Sequence, residues 1–277
     1  MKSSAFPFEL VVRPHSGWQA LDFKEILLYR DLFAFLVWRD IKVRYRQTIL
    51  GGLWAVIQPL LAMLVFTVIF HRLAGVASDG APYPLFAFAG LAPWTFFSAG
   101  VSQSSNSLIG NQNLVSKIYF PRVFIPLGAV LALVLDLALS LAMLGVLLIY
   151  YRWPLTASVL LLPVFILGAF LAAGGIGLVL SALNVNFRDV KYAVPFLIQM
   201  GIFVTPVIYP IRYVPARWQW VMGLNPMAGV ILGFRHCLIG SPAPWNLIAL
   251  SLATTVVLFV SGLYIFRRME RRFADVI

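Results

Sequence analysis

Long apolar segments that hold at most one charged residue alternate along the chain with short segments rich in arginine and polar residues. Six of the apolar segments are near or above the ~20 residues that a helix needs to cross ~30 Å of hydrocarbon. They comprise residues 49–70, 84–101, 123–150, 155–183, 193–209 and 245–266. The pattern therefore predicts an all-α integral membrane protein with six transmembrane helices.

Two further segments follow a different pattern. Between residues 23 and 37, apolar side chains recur at near-helical spacing among charged ones, which predicts an amphipathic helix in the membrane interface. Residues 218–234 are uncharged but are interrupted by Gly223, Pro226, Gly229 and Gly233, which predicts a re-entrant or interfacial helical pair before the last span. The predicted organisation is a cytoplasmic N-terminal segment (1–48), a transmembrane domain (49–266) and a cytoplasmic tail (267–277).

The distribution of lysine and arginine predicts how the chain is oriented. With six spans, both termini lie on the same side as the loops 102–122 and 184–192. Most of the 21 Lys and Arg residues then lie on that side. The exceptions are Arg72, Arg152, Arg212, Arg217 and Arg235. Because positive residues accumulate in cytoplasmic segments, both termini are predicted to be cytoplasmic.

Composition supports a membrane protein and excludes other classes. The 277-residue chain is 61% hydrophobic and only 11% charged, whereas a soluble domain of this size needs more surface charge. Its net charge of +11 comes from short segments between apolar runs rather than from one basic face, so nucleic acid is not the expected partner.

Few residues have the spacing that catalysis or cofactor binding requires. One cysteine and three scattered histidines give no pattern for a metal site, and the acidic residues form no catalytic pair. No lysine follows a glycine, so the chain has no P-loop for ATP. We therefore expect a protein that is not an enzyme and that binds no metal or cofactor itself.

Five sequence blocks resemble one transporter family. They are RDIKVRYRQTILGGLWAVIQPLL from Arg39, SKIYFPRVFIPL from Ser116, NVNFRDVKY from Asn184, TPVIYP from Thr205 and LNPMAGVILGFR from Leu224. In this order they are similar to the permease subunits of ABC-2 type polysaccharide exporters, and the likeness extends from about Arg39 to the C-terminus. The nearest group is the O-antigen (Wzm-type) permeases. The capsule (KpsM-type) and teichoic acid (TarG-type) permeases share most of the blocks.

The resemblance implies a homodimer in the inner membrane of a bacterium, bound to two copies of a separate ATP-binding subunit that holds ATP and Mg²⁺. The complex would move a polysaccharide linked to undecaprenyl diphosphate, in the nearest group a lipopolysaccharide O-antigen, from the cytoplasmic to the periplasmic side. The polar stretch 102–122 is then expected to hold the helix that couples permease and ATPase. Its expected contacts are Asn113, Leu114, Lys117 and Tyr119. Arg188 and Asp189 form either a second contact or an inward-facing turn.

The chemistry of a lipid diphosphate favours arginine, whose planar guanidinium donates in pairs and stays charged. Arg44 and Arg46 stand just before the first span, and on a helix they point about 200° apart. One of them, with a slight preference for Arg46, is therefore predicted to meet the diphosphate at the lipid entrance, while the other anchors or packs. A purely anchoring role on lipid phosphates is the alternative for both.

A glycan presents hydroxyl groups and apolar ring faces, so amides, hydroxyls and aromatic rings are predicted to line its path. The candidates are Trp54, Gln58, Phe66, Phe70, Ser98, Ser102, Gln199 and Tyr209. For the aromatic residues among them, the alternative is an ordinary belt at the membrane interface.

Asp136 is the one acidic residue near the middle of a predicted span. We interpret it as a protonated or hydrogen-bonded carboxyl that holds helices together, because no second carboxylate or lysine accompanies it to form a relay. For the chain as a whole, an ABC-2 exporter of a drug or a small lipid is the alternative function, since it would share the six spans.

Overall fold

The computed structural model describes residues 27–46, 51–117, 120–187, 189–270 and 273, and helices dominate these ranges. The α-helices, in chain order, are α1 (Arg30–Arg46), α2 (Trp54–Phe66), α3 (Tyr83–Gly110), α4 (Gln112–Lys117), α5 (Phe124–Leu131), α6 (Val134–Tyr150), α7 (Leu162–Asn186), α8 (Val190–Val204), α9 (Ala216–Gly223), α10 (Pro226–Ile239) and α11 (Trp245–Glu270). A π-helical segment, Thr67–Leu73, continues α2. The predicted all-α class is confirmed.

Five stretches are long and apolar enough to cross a membrane, and they match five of the predicted spans. They are Trp54–Leu73, Tyr83–Gly110, Phe124–Tyr150, Ala157–Asn186 and Trp245–Glu270, with 20 to 30 residues each. The third combines α5 and α6, and the fourth combines a 3-10 segment, Ala157–Leu161, with α7. Several of these helices extend beyond the predicted boundaries because their polar ends continue the helix.

The segment predicted as the span 193–209 forms a shorter helix. Helix α8 has 15 residues, which is roughly 22 Å at ~1.5 Å per residue and less than the ~30 Å of a bilayer core. It ends at Val204 because Pro206 disfavours a helical conformation at Thr205, which is extended (φ −98°, ψ 142°). The count of six spans therefore stays a prediction.

The segment 218–234 forms parts of two helices, α9 and α10, which are separated by Leu224 and Asn225. The Asn225 side chain caps α10 by accepting a hydrogen bond from the Met227 backbone N–H at 2.9 Å, and Pro226 occupies the first turn. Gly240 ends α10 in the left-handed conformation (φ 68°) that glycine adopts at low cost. A helical pair is present, and its depth in the membrane stays a prediction.

Helix α3 is the centre of the fold. In its most apolar window, 78% of the residues are buried, against 11% in the window of the span that begins with α2. It packs against α2, α5, α6, α7, α8 and α10. Helices α7 and α11 approach closely at two glycines, because a Cβ on Gly175 would lie 2.8 Å from the Phe259 Cα and one on Gly262 would meet the Gly175 carbonyl.

A second apolar cluster joins α1 to the membrane helices. Leu36 on α1 is only 2% exposed, and the rings of Phe33 and Phe124 stack with their centroids 4.9 Å apart. The same cluster includes Leu108, Val115 and Phe266 from three other helices. The part of the predicted apolar face formed by Leu32, Phe33 and Leu36 thus packs on the bundle through α5, whereas Leu27 is exposed. Residues 23–26 of the predicted helix lie outside the described residues. The opposite face of α1 exposes side chains such as Phe35 and Trp38.

Candidate functional site: a polar cavity between α2, α3 and α6

An open cavity of about 320 Å³ lies between α2, α3 and α6, beside the C-terminal end of α1. Polar side chains reach it from all four helices, and Trp54, Phe96 and Leu133 are among its apolar walls. The polar ones are Arg44, Tyr45, Gln58, Thr95, Gln103, Asp136 and Ser140. Polar and charged side chains among helices of membrane-spanning length cost free energy, so such a cavity is a candidate functional site.

Helical spacing explains why these side chains share one cavity. Each membrane helix contributes residues four positions apart, which lie on one face of a helix. The sets are Trp54 and Gln58 on α2, Thr95, Ala99 and Gln103 on α3, and Asp136 and Ser140 on α6. Ser140 also ties α6 to α2, since its hydroxyl donates to the Ala55 carbonyl oxygen at 3.0 Å.

Arg44 and Asp136 form an ion pair at one side of the cavity. The Arg44 Nη1 donates to Asp136 Oδ2, and the Tyr45 hydroxyl donates to Asp136 Oδ1. The two charged side chains are partly buried, with 25% of Arg44 and 20% of Asp136 exposed. Burial and the hydrogen bond to Asp136 raise the pKa of Tyr45, so the phenol remains a neutral donor. Asp136 is thus a hydrogen-bonded carboxyl that joins α6 to α1. The sequence did not indicate that Arg44 would be its partner.

The structure separates the two arginines that precede the first span. Arg44 lines the cavity, whereas Arg46 is exposed and forms no ion pair with a described residue. The two side chains lie on different faces of α1, as their spacing requires. Their roles toward a lipid diphosphate stay predictions, and the position of Arg44 makes it the stronger candidate.

Of the eight residues predicted to line a glycan path, the cavity brings together Trp54 and Gln58. The Phe66 and Phe70 rings pack edge to face further along the same span, with centroids 5.6 Å apart. Ser98 donates to the Thr95 carbonyl oxygen at 3.0 Å, and the Ser102 carbonyl oxygen accepts from Ser105 and Asn106. Gln199 is exposed on α8, and the Tyr209 hydroxyl donates to the Phe203 carbonyl oxygen at 3.1 Å.

The predicted coupling residues lie at one end of the helix bundle. On α4, Asn113 and Lys117 are exposed, Leu114 is half-buried, and Val115 anchors the helix in the second apolar cluster. Asp189 is exposed just before α8. The Asn184 amide, near the end of α7, donates to the Ser105 carbonyl oxygen on α3 at 2.9 Å, so the helices that lead to both segments are joined. Tyr119 and Arg188 lie outside the described residues.

Arg235 forms a second polar site, which sequence reasoning missed because it counted this residue among the loop charges. It lies within α10, is 1% exposed, and donates to backbone carbonyl oxygens in the segment after α8. The acceptors are the carbonyls of Pro206 (2.7 Å), Val207 (2.5 Å) and Tyr209 (3.3 Å), with that of Phe86 (3.3 Å) on α3. The guanidinium carbon lies 3.5 Å from the centroid of the Phe86 ring. The two prolines of TPVIYP were the available signal, because they keep this segment out of a helix and leave its backbone carbonyls in need of donors.

Comparison with known proteins assigns the chain to a family. Residues 31–239, which include every residue lining the cavity, match the ABC-2 type transporter family. The chain is 33% identical to the O-antigen export system permease protein RfbA of Myxococcus xanthus over 91% of this chain and 97% of that relative. It is 31% identical to the protein of the same name from Klebsiella pneumoniae, over 89% of this chain and 95% of the relative. The polysialic acid transport protein KpsM of Escherichia coli is 25% identical over 84% of this chain and 91% of its own length. With membrane-length helices around a polar cavity and this match over most of its length, the chain belongs to the ABC-2 type transporter family as a multi-pass membrane permease.

Proposed function

We propose that this chain is the permease subunit of an ATP-driven exporter that moves a polysaccharide linked to undecaprenyl diphosphate across the inner membrane of a bacterium. O-antigen is the polysaccharide we assign to it. The observation that carries the proposal is the 29–33% identity to O-antigen export permeases along nearly the whole chain. Both termini are cytoplasmic in this proposal, and six spans cross the membrane.

The cavity supplies the chemistry that such a substrate needs. Arg44 offers a guanidinium to the diphosphate where the first span begins, and Arg46 remains as an anchor on lipid phosphates. Trp54 and Gln58 extend the polar and aromatic lining along α2 toward the sugar units. In the assembled dimer, the exposed Gln199, the half-buried Tyr209 and the ring pair Phe66–Phe70 form further parts of the path.

ATP hydrolysis is assigned to a separate subunit, two copies of which bind a homodimer of this chain. The exposed side chains of α4 support this assignment, because Val115 fixes the helix while Asn113 and Lys117 remain available for a partner. Cysteines at these two positions should form cross-links to the ATPase. A cysteine at Ser78 should not, because the loop between α2 and α3 is periplasmic in the proposed topology. Absence of cross-links from α4 in every nucleotide state would move the coupling contact elsewhere.

The function is tested by deleting the gene in its own host. We expect loss of O-antigen from surface lipopolysaccharide and accumulation of the undecaprenyl-diphosphate-linked glycan, measured by gel electrophoresis and lipid mass spectrometry. A plasmid copy of the wild-type gene is the control. Loss of capsule with intact lipopolysaccharide would instead assign the chain to capsule export, as the likeness to the polysialic acid transport protein suggests. Unchanged surface glycans would contradict the proposal.

A further inference from the structure

The Arg44–Asp136 pair connects two elements that are 92 residues apart in the chain. Among the described residues, it is the one ion pair that joins α1 to another helix, because the pairs Arg30–Asp31 and Arg39–Asp40 both lie within α1. The apolar contacts of Phe33 and Leu36 already hold α1 on the bundle. The ion pair is therefore not needed to attach the helix.

The pair leaves much of the guanidinium unused. Arginine has five N–H donors, and the structure gives Arg44 a single bond, from Nη1, to a described residue. Its other nitrogens are not among the buried polar atoms without a partner, so they are accessible on a side chain that lines the cavity. Asp136, in contrast, has both oxygens occupied, by Arg44 and by Tyr45.

The charges in the cavity cancel. Arg44 and Asp136 are the charged residues among the described residues that line it, so the cavity has one cation and one anion. A phosphate that approaches Arg44 therefore meets a guanidinium that already has an anionic partner. Phosphate oxygens bind a guanidinium in the same paired geometry as a carboxylate does, and a diphosphate carries more negative charge than a carboxylate.

We propose that Asp136 is an internal counter-anion for Arg44, and that a phosphate group of the lipid-linked substrate exchanges with it in the cavity. This inference rests on the proposed export function and adds a positioning residue to it. Asp136 holds Arg44 at the cavity while the site is empty, and it competes with the bound phosphate afterwards. Competition weakens binding, and a transported ligand must leave its site as readily as it enters.

A purely structural role of Asp136 predicts the opposite result in one measurement. If the carboxyl only holds helices together, Asp136→Asn loosens the site and weakens substrate binding or leaves it unchanged. If it is a counter-anion, the same substitution leaves Arg44 without its competitor and tightens binding. The sign of the change in affinity therefore separates the two roles.

The test uses the complete exporter, permease with its ATPase, in nanodiscs of phosphatidylcholine, with undecaprenyl diphosphate as the probe. We expect D136N to bind the probe about tenfold more tightly than wild type, because a like charge a few ångströms away is removed. R44Q should bind about tenfold more weakly. Asp79→Asn is the matched control. The Asp79 carboxylate lies 3.4 Å from the Arg212 Nε and does not line the cavity. Asparagine tolerates the positive φ of 52° at this position.

A double variant keeps the test valid if D136N alone fails to assemble. With both charges removed, R44Q/D136N should bind the probe more tightly than R44Q, in which the carboxylate still repels phosphate. Equal affinities of R44Q and the double variant would overturn the proposal, as would a weaker or unchanged affinity of D136N. Export by D136N should have a lower half-saturating substrate concentration and a lower maximal rate.

Competitors identify the source of the phosphate. Undecaprenol, which has no charge, should not compete, and phosphatidylglycerol and inorganic diphosphate should compete only at far higher concentrations. Competition by phosphatidylglycerol at the concentration of the probe would mean a general lipid site, and competition by inorganic diphosphate at that concentration would mean a general phosphate site. Either result would overturn the assignment to the substrate. If wild type exports O-antigen but the variants do not follow this order, the counter-anion role fails while the proposed function stands.

Discussion

Two arginines of this permease are held in opposite ways. Arg235 is 1% exposed and donates to four backbone carbonyl oxygens, so its guanidinium is enclosed and its bonds join α10, α3 and the segment after α8. Arg44 is 25% exposed and has one carboxylate partner at the edge of an open cavity. The comparison teaches that a charge inside a membrane protein stabilises the fold when the backbone surrounds it, and remains available for a ligand when its partner can be exchanged.

Removal of the enclosed arginine should have the largest effect. Arg235→Leu leaves the carbonyls of Pro206, Val207 and Tyr209 buried without a donor, which we expect to cost about 3 kcal/mol or more of unfolding free energy. Thermal denaturation of the purified permease, followed by size-exclusion chromatography, measures the loss. Arg212→Leu is the control, because Arg212 is 54% exposed and has one ion pair. Equal stability of the two variants would contradict the structural role of Arg235.

Crowding the surroundings of Arg235 without removing its charge should have the next largest effect. A Cβ at Gly90 would lie 2.8 Å from both the Arg235 Nη2 and the Val207 carbonyl oxygen, so Gly90→Ala must displace one of them. Such overpacking typically costs about 1–3 kcal/mol. Gly145→Ala is the matched control on α6, where a Cβ meets nothing within 4 Å and alanine favours the helix. A stable G90A variant would contradict this expectation, because it would show that the carbonyls around Arg235 can move to make room for a methyl group.

At the cavity, the effect should appear in transport rather than in stability. Arg44→Lys keeps the positive charge and its attraction to Asp136, so unfolding should change by less than about 1 kcal/mol. Loss of the paired donors should lower export about tenfold, the equivalent of one charge-assisted hydrogen bond. Pulse-chase labelling of surface O-antigen measures export, and Arg46→Lys is the control. A deficit in R46K but not in R44K would return the diphosphate contact to Arg46.

The smallest effect is expected at the second partner of Asp136. Tyr45→Phe removes the hydroxyl that donates to Asp136 Oδ1 and keeps the ring. Because this part of the chain is partly open to the cavity, we expect a loss of about 1 kcal/mol or less in a thermal unfolding experiment. A loss as large as that in R235L would mean that the cavity is as tightly enclosed as the Arg235 site, and the comparison between the two arginines would fail.

Particular elements show how far sequence reasoning reached. Five of the six predicted spans were confirmed as membrane-length helices, since a long apolar run allows little other than a helix in a bilayer. The break at Leu224–Asn225 was predicted from glycine and proline, which act locally. The prediction for 193–209 was too long, because apolar composition continues past Val204 whereas the helix stops before Pro206.

The lining of the cavity was predicted only in part. Arg44, Trp54 and Gln58 were all proposed, but their assembly with Thr95, Gln103 and Ser140 was not. Helical spacing indicates that Thr95, Ala99 and Gln103 share a face of α3, and it does not indicate which helix that face meets. Ser98 and Ser102 were chosen from the same helix, and they lie outside the group that lines the cavity.

By itself, the sequence determined the apolar helices, their local breaks, the position of charge between them and the transporter family, because each of these depends on residues near one another in the chain. The tertiary structure alone decided the partners of the two arginines. Asp136 is 92 residues from Arg44, and the Phe86 carbonyl is 149 residues from Arg235. Such pairs depend on which helix faces pack together, and packing is set by the shapes of many side chains at once rather than by any local pattern.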